Sequence, residues 1–284
     1  MINDEPFTYD TLEFRDKLLF NDPPPDCLYH YTTAAGLLGI VQSNDENNIF
    51  KMWASDSRYL NDSLEYIGGL KVAEECLKSS RYASSSLIKK AAEIISEKNG
   101  EVVMLSLSSK GNLLSQWRAY SENGGYSIQF NTESFKARPG YTNDYLAQCI
   151  YSTEVLSAKM EECIEWHQDK FEKYTNDHLD NCLRGLVGTI RALATLFKHE
   201  SFSEESEWRY VVTYPVRNKI ETRNSNGLLV PYICLDFPEK SITKVCVAPG
   251  SKQSLAQYSA IVLLENNFKE STPNVELSGS SFTW

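Results

Sequence analysis

The sequence predicts an α+β protein with a mixed or antiparallel β core, flanking helices and an inserted helical hairpin. Three observations carry that expectation. Short runs rich in Val, Ile, Tyr, Phe and Trp recur between residues 27 and 247, a composition that suits a half-buried pleated surface. Residues 153–200 contain no proline and repeat their apolar residues at helical spacing. No glycine-rich motif follows a strand, so neither a P-loop nor a dinucleotide-binding βαβ unit is indicated.

The elements follow in order. Residues 1–26 form a polar extension with one short helix carrying Phe14, Leu18 and Leu19, stopped by Pro23, Pro24 and Pro25. Residues 27–32 read as a strand, and Thr33 caps a helix whose stripe is Leu37, Leu38, Ile40 and Val41. A second strand over 49–55 offers Met52 and Trp53 to the core. A helix capped by Asp62 or Ser63 runs to about residue 79, weakened at Gly68 and Gly69. Another covers 84–98 with Leu87, Ala91, Ile94 and Ile95 on one face, and Asn99-Gly100 ends it. Residues 101–108 are the clearest strand of the middle region. A helix spans 113–120, Asn123 opens a turn, and strands cover 126–130 and 147–152. Two long helices, 154–174 and 178–199, break at Asn176-Asp177 and form the hairpin. Strands at 207–212, 228–235 and 242–247 follow, then a helix over 254–265. Val275, Glu276 and Leu277 add an edge strand, and Phe282 and Trp284 dock on the body.

Size and charge narrow the function classes. With 284 residues the chain is near the limit of one hydrophobic core, so the expected organisation is one domain over 27–284 with an insertion at 154–199. A net charge of −10 argues against a protein-wide phosphate-binding surface and leaves room for a local basic cleft. The hairpin mixes Lys159, Lys170, Lys173, Arg184, Arg191 and Lys198 with glutamates, which suits protein docking or a lid better than a nucleic-acid track. Seven cysteines without a C-x-x-C pair read as reduced thiols of a cytoplasmic protein, with Cys163 and Cys182 buried. No run is apolar enough for a membrane span. His167, His178 and His199 lack compact ligand spacing, so no metal is assigned.

The chemistry centres on residues 202–212, which begin acidic and end apolar. As a strand from Glu207, alternation puts Glu205, Glu207, Arg209 and Val211 on one face, and Ser206, Trp208, Tyr210 and Val212 on the other. The aromatic face enters the core. The carboxylates then lie side by side, with Arg209 next to them and read as holding Glu205. Two roles stay open: a carboxylate pair that stabilises developing positive charge, or an internal ion-pair knot. His30 likewise either offers a ring nitrogen to a ligand or bonds to backbone. Trp117 and Tyr120 either wall a flat ligand or join the core.

The landmarks Y-H-Y-T (29–32), L-N-D-S-L-E (60–65), L-S-L-S (105–108), Q-W-R-A-Y (116–120), G-Y-S-I-Q-F (125–130) and E-S-E-W-R (205–209), in that order, resemble the bacterial family called domain of unknown function 2971 over about 27–280. More remotely, Y-H-Y-T resembles the Y-H-G-T strand of diphtheria-toxin-like ADP-ribosyltransferases, and E-S-E resembles the E-x-E of arginine-directed ones. That resemblance implies an ADP-ribosyltransferase-like core and an NAD site. His30 would grip a ribose hydroxyl and Thr32 would help hold the dinucleotide. Tyr31 stands where those enzymes have glycine, which departs from their close backbone approach. Glu207 would sit by the nicotinamide ribose and Glu205 would orient an acceptor. The stacking aromatics would be Trp117 and Tyr120, or Tyr59 and Tyr66, with Arg209 a further cofactor contact. A fixed carboxylate suits the oxocarbenium-like state of nicotinamide–ribose cleavage.

Two functions are therefore expected in competition. One is an NAD-dependent ADP-ribosyltransferase acting on an unidentified macromolecule, as a toxin or phage-defence effector held by an antitoxin or regulatory protein, or an NAD glycohydrolase. The other is a non-enzymatic binding or regulatory module in which Glu205, Arg209 and Asp62 form an internal network. A protein partner ranks above a nucleic acid, and no membrane is implied.

Overall fold

The computed structural model describes residues 5–20, 22–59, 64–97, 102–120, 124–135, 144–173, 179–213, 219–225 and 227–279. The expected caps at Asp62 and Ser63, the stop at Asn99-Gly100, the turn at Asn123, the break at Asn176-Asp177, His178, and the docking of Phe282 and Trp284 lie outside these residues. In chain order the elements are α1 (Glu5–Leu19), β1 (Cys27–Thr33), α2 (Ala34–Gln42), β2 (Ile49–Asp56), α3 (Leu64–Ser79), α4 (Ser86–Ser96), β3 (Val102–Ser108), α5 (Leu114–Tyr120), β4 (Gly125–Asn131) and β5 (Asp144–Gln148). Then come α6 (Thr153–Lys173), α7 (Leu179–Leu196), β6 (Glu207–Thr213), β7 (Glu221–Ser225), β8 (Leu228–Pro238), β9 (Ile242–Val247), α8 (Gln253–Asn267) and β10 (Asn274–Leu277). The fold is mixed α+β, with one sheet and flanking helices. Among the described residues no helix is long and apolar enough to cross a membrane.

The chain divides into two compact units, one of residues 1–23, 57–102 and 147–203, the other of 24–56, 103–146 and 204–284. The first is helical. Its two longest helices, α6 and α7, pack together, and their packing partners in this unit include α1, α3 and α4. Phe14 of α1 stacks flat on Trp166 of α6, with ring centroids 4.3 Å apart. Gly68 and Gly69, expected to weaken α3, instead let it approach α7. A Cβ at Gly69 would come 2.5 Å from the Ala194 carbonyl oxygen. The buried pair Lys198–Glu65, at 3.4 Å, ties the start of α3 to the end of the hairpin.

The second unit holds the sheet, in the order β10-β9-β4-β1-β3-β2-β8-β7, with β6 joined to β3 and β5. β10 runs parallel to β9, and the β1–β4, β1–β3, β2–β3, β2–β8, β4–β9 and β7–β8 pairs are antiparallel. Strand β3 is the branch point, because it pairs with β1, β2 and β6. The main core gathers Leu28, Met52, Leu105, Ile128, Tyr210 and Leu235 from six strands, and takes in residues of α2 and α8. Thr33 caps α2 as expected, its hydroxyl accepting from Gly36 N–H at 3.1 Å.

Three expectations change. Met52 is buried, but Trp53 is 46% exposed, because neighbouring strand residues face opposite ways. Leu38 is exposed beside buried Leu37 and Val41, since it lies off their helical row. The strand read at 147–152 is displaced to β5, and Ile150 makes a single parallel bridge to Phe197. Strand β7 was missed in the sequence because Glu221–Ser225 is polar throughout and shows no alternation.

The close approach of α3 and α7 carries a stability prediction. Gly69→Ala forces its methyl into the backbone of Ala194, and urea unfolding should show a loss of about 2 kcal/mol despite the better helix propensity of alanine.

Candidate functional site

The E-S-E stretch is divided by backbone geometry. Glu205 ends a 3-10 turn (Glu200–Glu205), and Glu207 begins β6. Between them Ser206 has φ of +47°, a left-handed conformation costly for a residue with a Cβ. Hydrogen bonds hold it there. Ser109 N–H donates to the Ser206 carbonyl at 3.1 Å, and the Ser108 hydroxyl donates to the Glu205 carbonyl at 2.7 Å. The alternation drawn from Glu205 to Val211 therefore holds only from Glu207 onward.

Within β6 the aromatic face behaves as expected: Trp208, Tyr210 and Val212 enter the main core. The opposite face is buried too. Glu207 is 4% exposed and Arg209 1% exposed. The Arg209 Nε–H donates to Glu207 Oε1 at 2.9 Å and its Nη2 to Oε2 at 3.4 Å. This is a two-pronged fork between residues one strand repeat apart. Arg209 thus holds Glu207, a partner that the sequence reading, which paired it with Glu205, did not name.

His30 lies on β1 opposite Ile128 of β4, on the core-facing side with Leu28. Its Nδ1–H donates to the Ser106 carbonyl at 3.1 Å, which leaves Nε2 as the acceptor of the neutral ring. Burial pushes its pKa down, and the bond to Ser106 opposes that shift. Because Glu207 faces away from the core that Trp208 and Tyr210 enter, the alternation of the strands does not put it on the face His30 occupies.

Tyr31 points the other way from His30. With Trp117 and Ala248 it forms a second, smaller core, and Tyr29, Leu113 and Tyr120 pack against it. The Tyr31 hydroxyl donates to the Lys110 carbonyl at 2.7 Å and accepts from Leu113 N–H at 2.9 Å. Its ring meets Trp117 edge-on at 4.8 Å, and Trp117 Nε1–H donates to Asn112 at 2.8 Å. Thr32 is half-buried with its hydroxyl against Gly36, where an added Cβ would come within 1.9 Å. The structure therefore groups Tyr31, Trp117 and Tyr120 in one cluster and Glu207 with Arg209 in another. Tyr66 is buried in the helical unit, and Tyr59 is exposed.

Some partners had no sequence signal. The Tyr210 hydroxyl donates to the Asp144 carboxylate across 66 residues. Alternation turned Tyr210 inward, and a buried phenol needs an acceptor, but nothing in the sequence names which one. Ser106 and Asn112 were equally silent. Among the described residues no group of three His, Cys, Asp or Glu side chains could hold a metal.

The family model described as "Protein of unknown function (DUF2971)" matches residues 116–210, a segment running from α5 through the hairpin into β6. No curated protein and no solved structure matches the chain. The match is narrower than the expected span of 27–280 and excludes His30, Tyr31 and Thr32. The description as a transferase, an NAD enzyme, a toxin or a phage-defence effector is corrected here. What is supported is a partial likeness to a family to which no activity is attached.

Two stability predictions follow. Glu207→Ala leaves a buried guanidinium without its carboxylate and should lower unfolding free energy by about 3 kcal/mol, whereas Glu205→Ala should cost about 1 kcal/mol or less, both read by denaturant titration. The second concerns His167, which is fully buried and donates Nδ1–H to the Cys163 carbonyl at 2.9 Å. Burial pushes its pKa down to about 4. The unfolded chain therefore takes up a proton near pH 6.5 that the folded chain refuses. Its contribution is complete above pH 6.5 and is lost as pH falls towards about 4, amounting to about 3 kcal/mol. His30 contributes in the same direction, so the His167 share is the part of the slope that a His167→Gln variant removes.

Proposed function

We propose that this chain is a non-enzymatic binding or regulatory module. The observation that carries the reading is the Glu207–Arg209 fork, in which the carboxylate suited to stabilise positive charge is buried and bonded to a buried guanidinium. A carboxylate so engaged serves the fold, because its lone pairs are already directed at donors in its own strand. Other features agree with it. Tyr31 fills the place where a glycine would let a ligand approach backbone, and Trp117 has both ring and N–H committed to the small core. The likeness of Y-H-Y-T and E-S-E to transferase motifs is then one of strand residues and not of chemistry.

The partner on this reading is a protein. A net charge of −10 disfavours a phosphate-rich surface, and the mixed charge of the hairpin suits protein contacts. The test is nicotinamide release from NAD, measured beside a Glu207→Gln variant. We expect the native chain to release no more than the variant. Release that exceeds the variant's and scales with protein concentration overturns the proposal in favour of an NAD-consuming enzyme.

A further inference from the structure

Helix α8 is unlike a solvent-facing helix. From Gln253 to Leu264 it carries no charged residue, in a chain in which 23% of residues are charged. Its inner face, through Ala260 and Leu264, joins the main core. Its outer face is apolar as well: Leu255 is 68% exposed, Tyr258 68% and Val262 38%. A helix with apolar side chains on both faces is ordinarily covered on both.

The charges at its ends sit against its own dipole. Lys252 stands at the N-cap, and Glu265 lies in the last turn beside the carbonyl end. Each position is unfavourable within one helix, since anions belong near the amino end and cations near the carboxyl end. Neither side chain has an ion-pair or hydrogen-bond partner among the described residues, and both are exposed.

One arrangement satisfies both observations. We propose that α8 pairs antiparallel with α8 of a second copy of this chain, about a two-fold axis passing between Tyr258 and Ser259. In that register Leu255 meets Val262 of the second copy, and Tyr258 meets Ser259. Lys252 meets Glu265 at both ends, so each charge moves beside the favourable pole of the neighbouring helix. Ser259, small and exposed, sits at the crossing where the backbones come closest. The lack of charge between the ends matters for a chain of net charge −10, because two copies meet here without opposing like charges. A helix of 15 residues is about 22 Å long, so the contact falls below the roughly 800 Å² per partner of a standard interface, and the dimer is weak.

Sedimentation velocity of the full chain over a concentration series tests this. The expected result is a concentration-dependent shift from 32.3 kDa towards twice that mass. Tyr258→Glu should abolish the shift without changing the melting temperature. Lys252→Glu and Glu265→Lys should each weaken association about tenfold, because each places two like-charged pairs in the symmetric contact. The double variant should return to within about twofold of the native chain, since it restores both pairs. A chain that stays monomeric up to about 1 mM leaves the stripe to some other partner and overturns the proposal. A dimer that survives Tyr258→Glu overturns it, and so does a double variant that fails to recover.

Discussion

Strand β6 is buried on both faces, and the arrangement of the candidate site follows from that constraint. Trp208, Tyr210 and Val212 fill the main core, and Glu207, Arg209 and Val211 are buried on the other side. A strand in this position carries charge only if the charges satisfy each other, because an isolated ion out of water is costly by several kcal/mol. The two-residue repeat of a strand puts Glu207 and Arg209 next to each other on one face, and the guanidinium fork matches the two carboxylate oxygens. Ser206 marks the edge of this environment. Its left-handed backbone turns the chain from the partly exposed Glu205 into the buried strand.

The same alternation shapes β1. His30 and Tyr31 are neighbours in sequence and therefore lie on opposite faces, one with Leu28 and Ile128, the other with Trp117 and Ala248. Two neighbours in one motif thus make contacts on two different faces. The imidazole is anchored to Ser106, and the phenol bridges Lys110 and Leu113. Each bond answers the same requirement, that a polar group removed from water find a partner.

Much of the fold was legible. The Thr33 cap, the aromatic strands and the two hairpin helices follow from local chemistry and periodicity, which depend on residues a few positions apart. What was misjudged depended on what each element packs against. Glycines in α3 looked like weaknesses because propensity counts the helix alone, yet they are what lets α7 approach. Trp53 looked like core because aromatic residues usually are, but the sheet turns it outward, where its ring packs at a tilt against Tyr232 at 4.9 Å with Arg223 over its ring. The polar strand β7 gave no sign of itself, since its pairing with β8 is made by backbone groups that every residue carries.

For the candidate site the division is sharper. The sequence by itself determined that Glu207 and Arg209 share a face of a strand and that Trp208 and Tyr210 share the other, because strand alternation is a property of the chain alone. It also determined that residues 253–264 carry no charge, with Lys252 before them and Glu265 after them. Only the tertiary structure decided that Glu207 is buried, that the His30 Nδ1–H bonds to the Ser106 carbonyl, and that Asp144 is the acceptor for Tyr210. Burial and partner choice arise from strands brought together across tens of residues. The free energy of a carboxylate is set by the dielectric and the donors around it, and these are assembled only when β3, β5 and β6 pair.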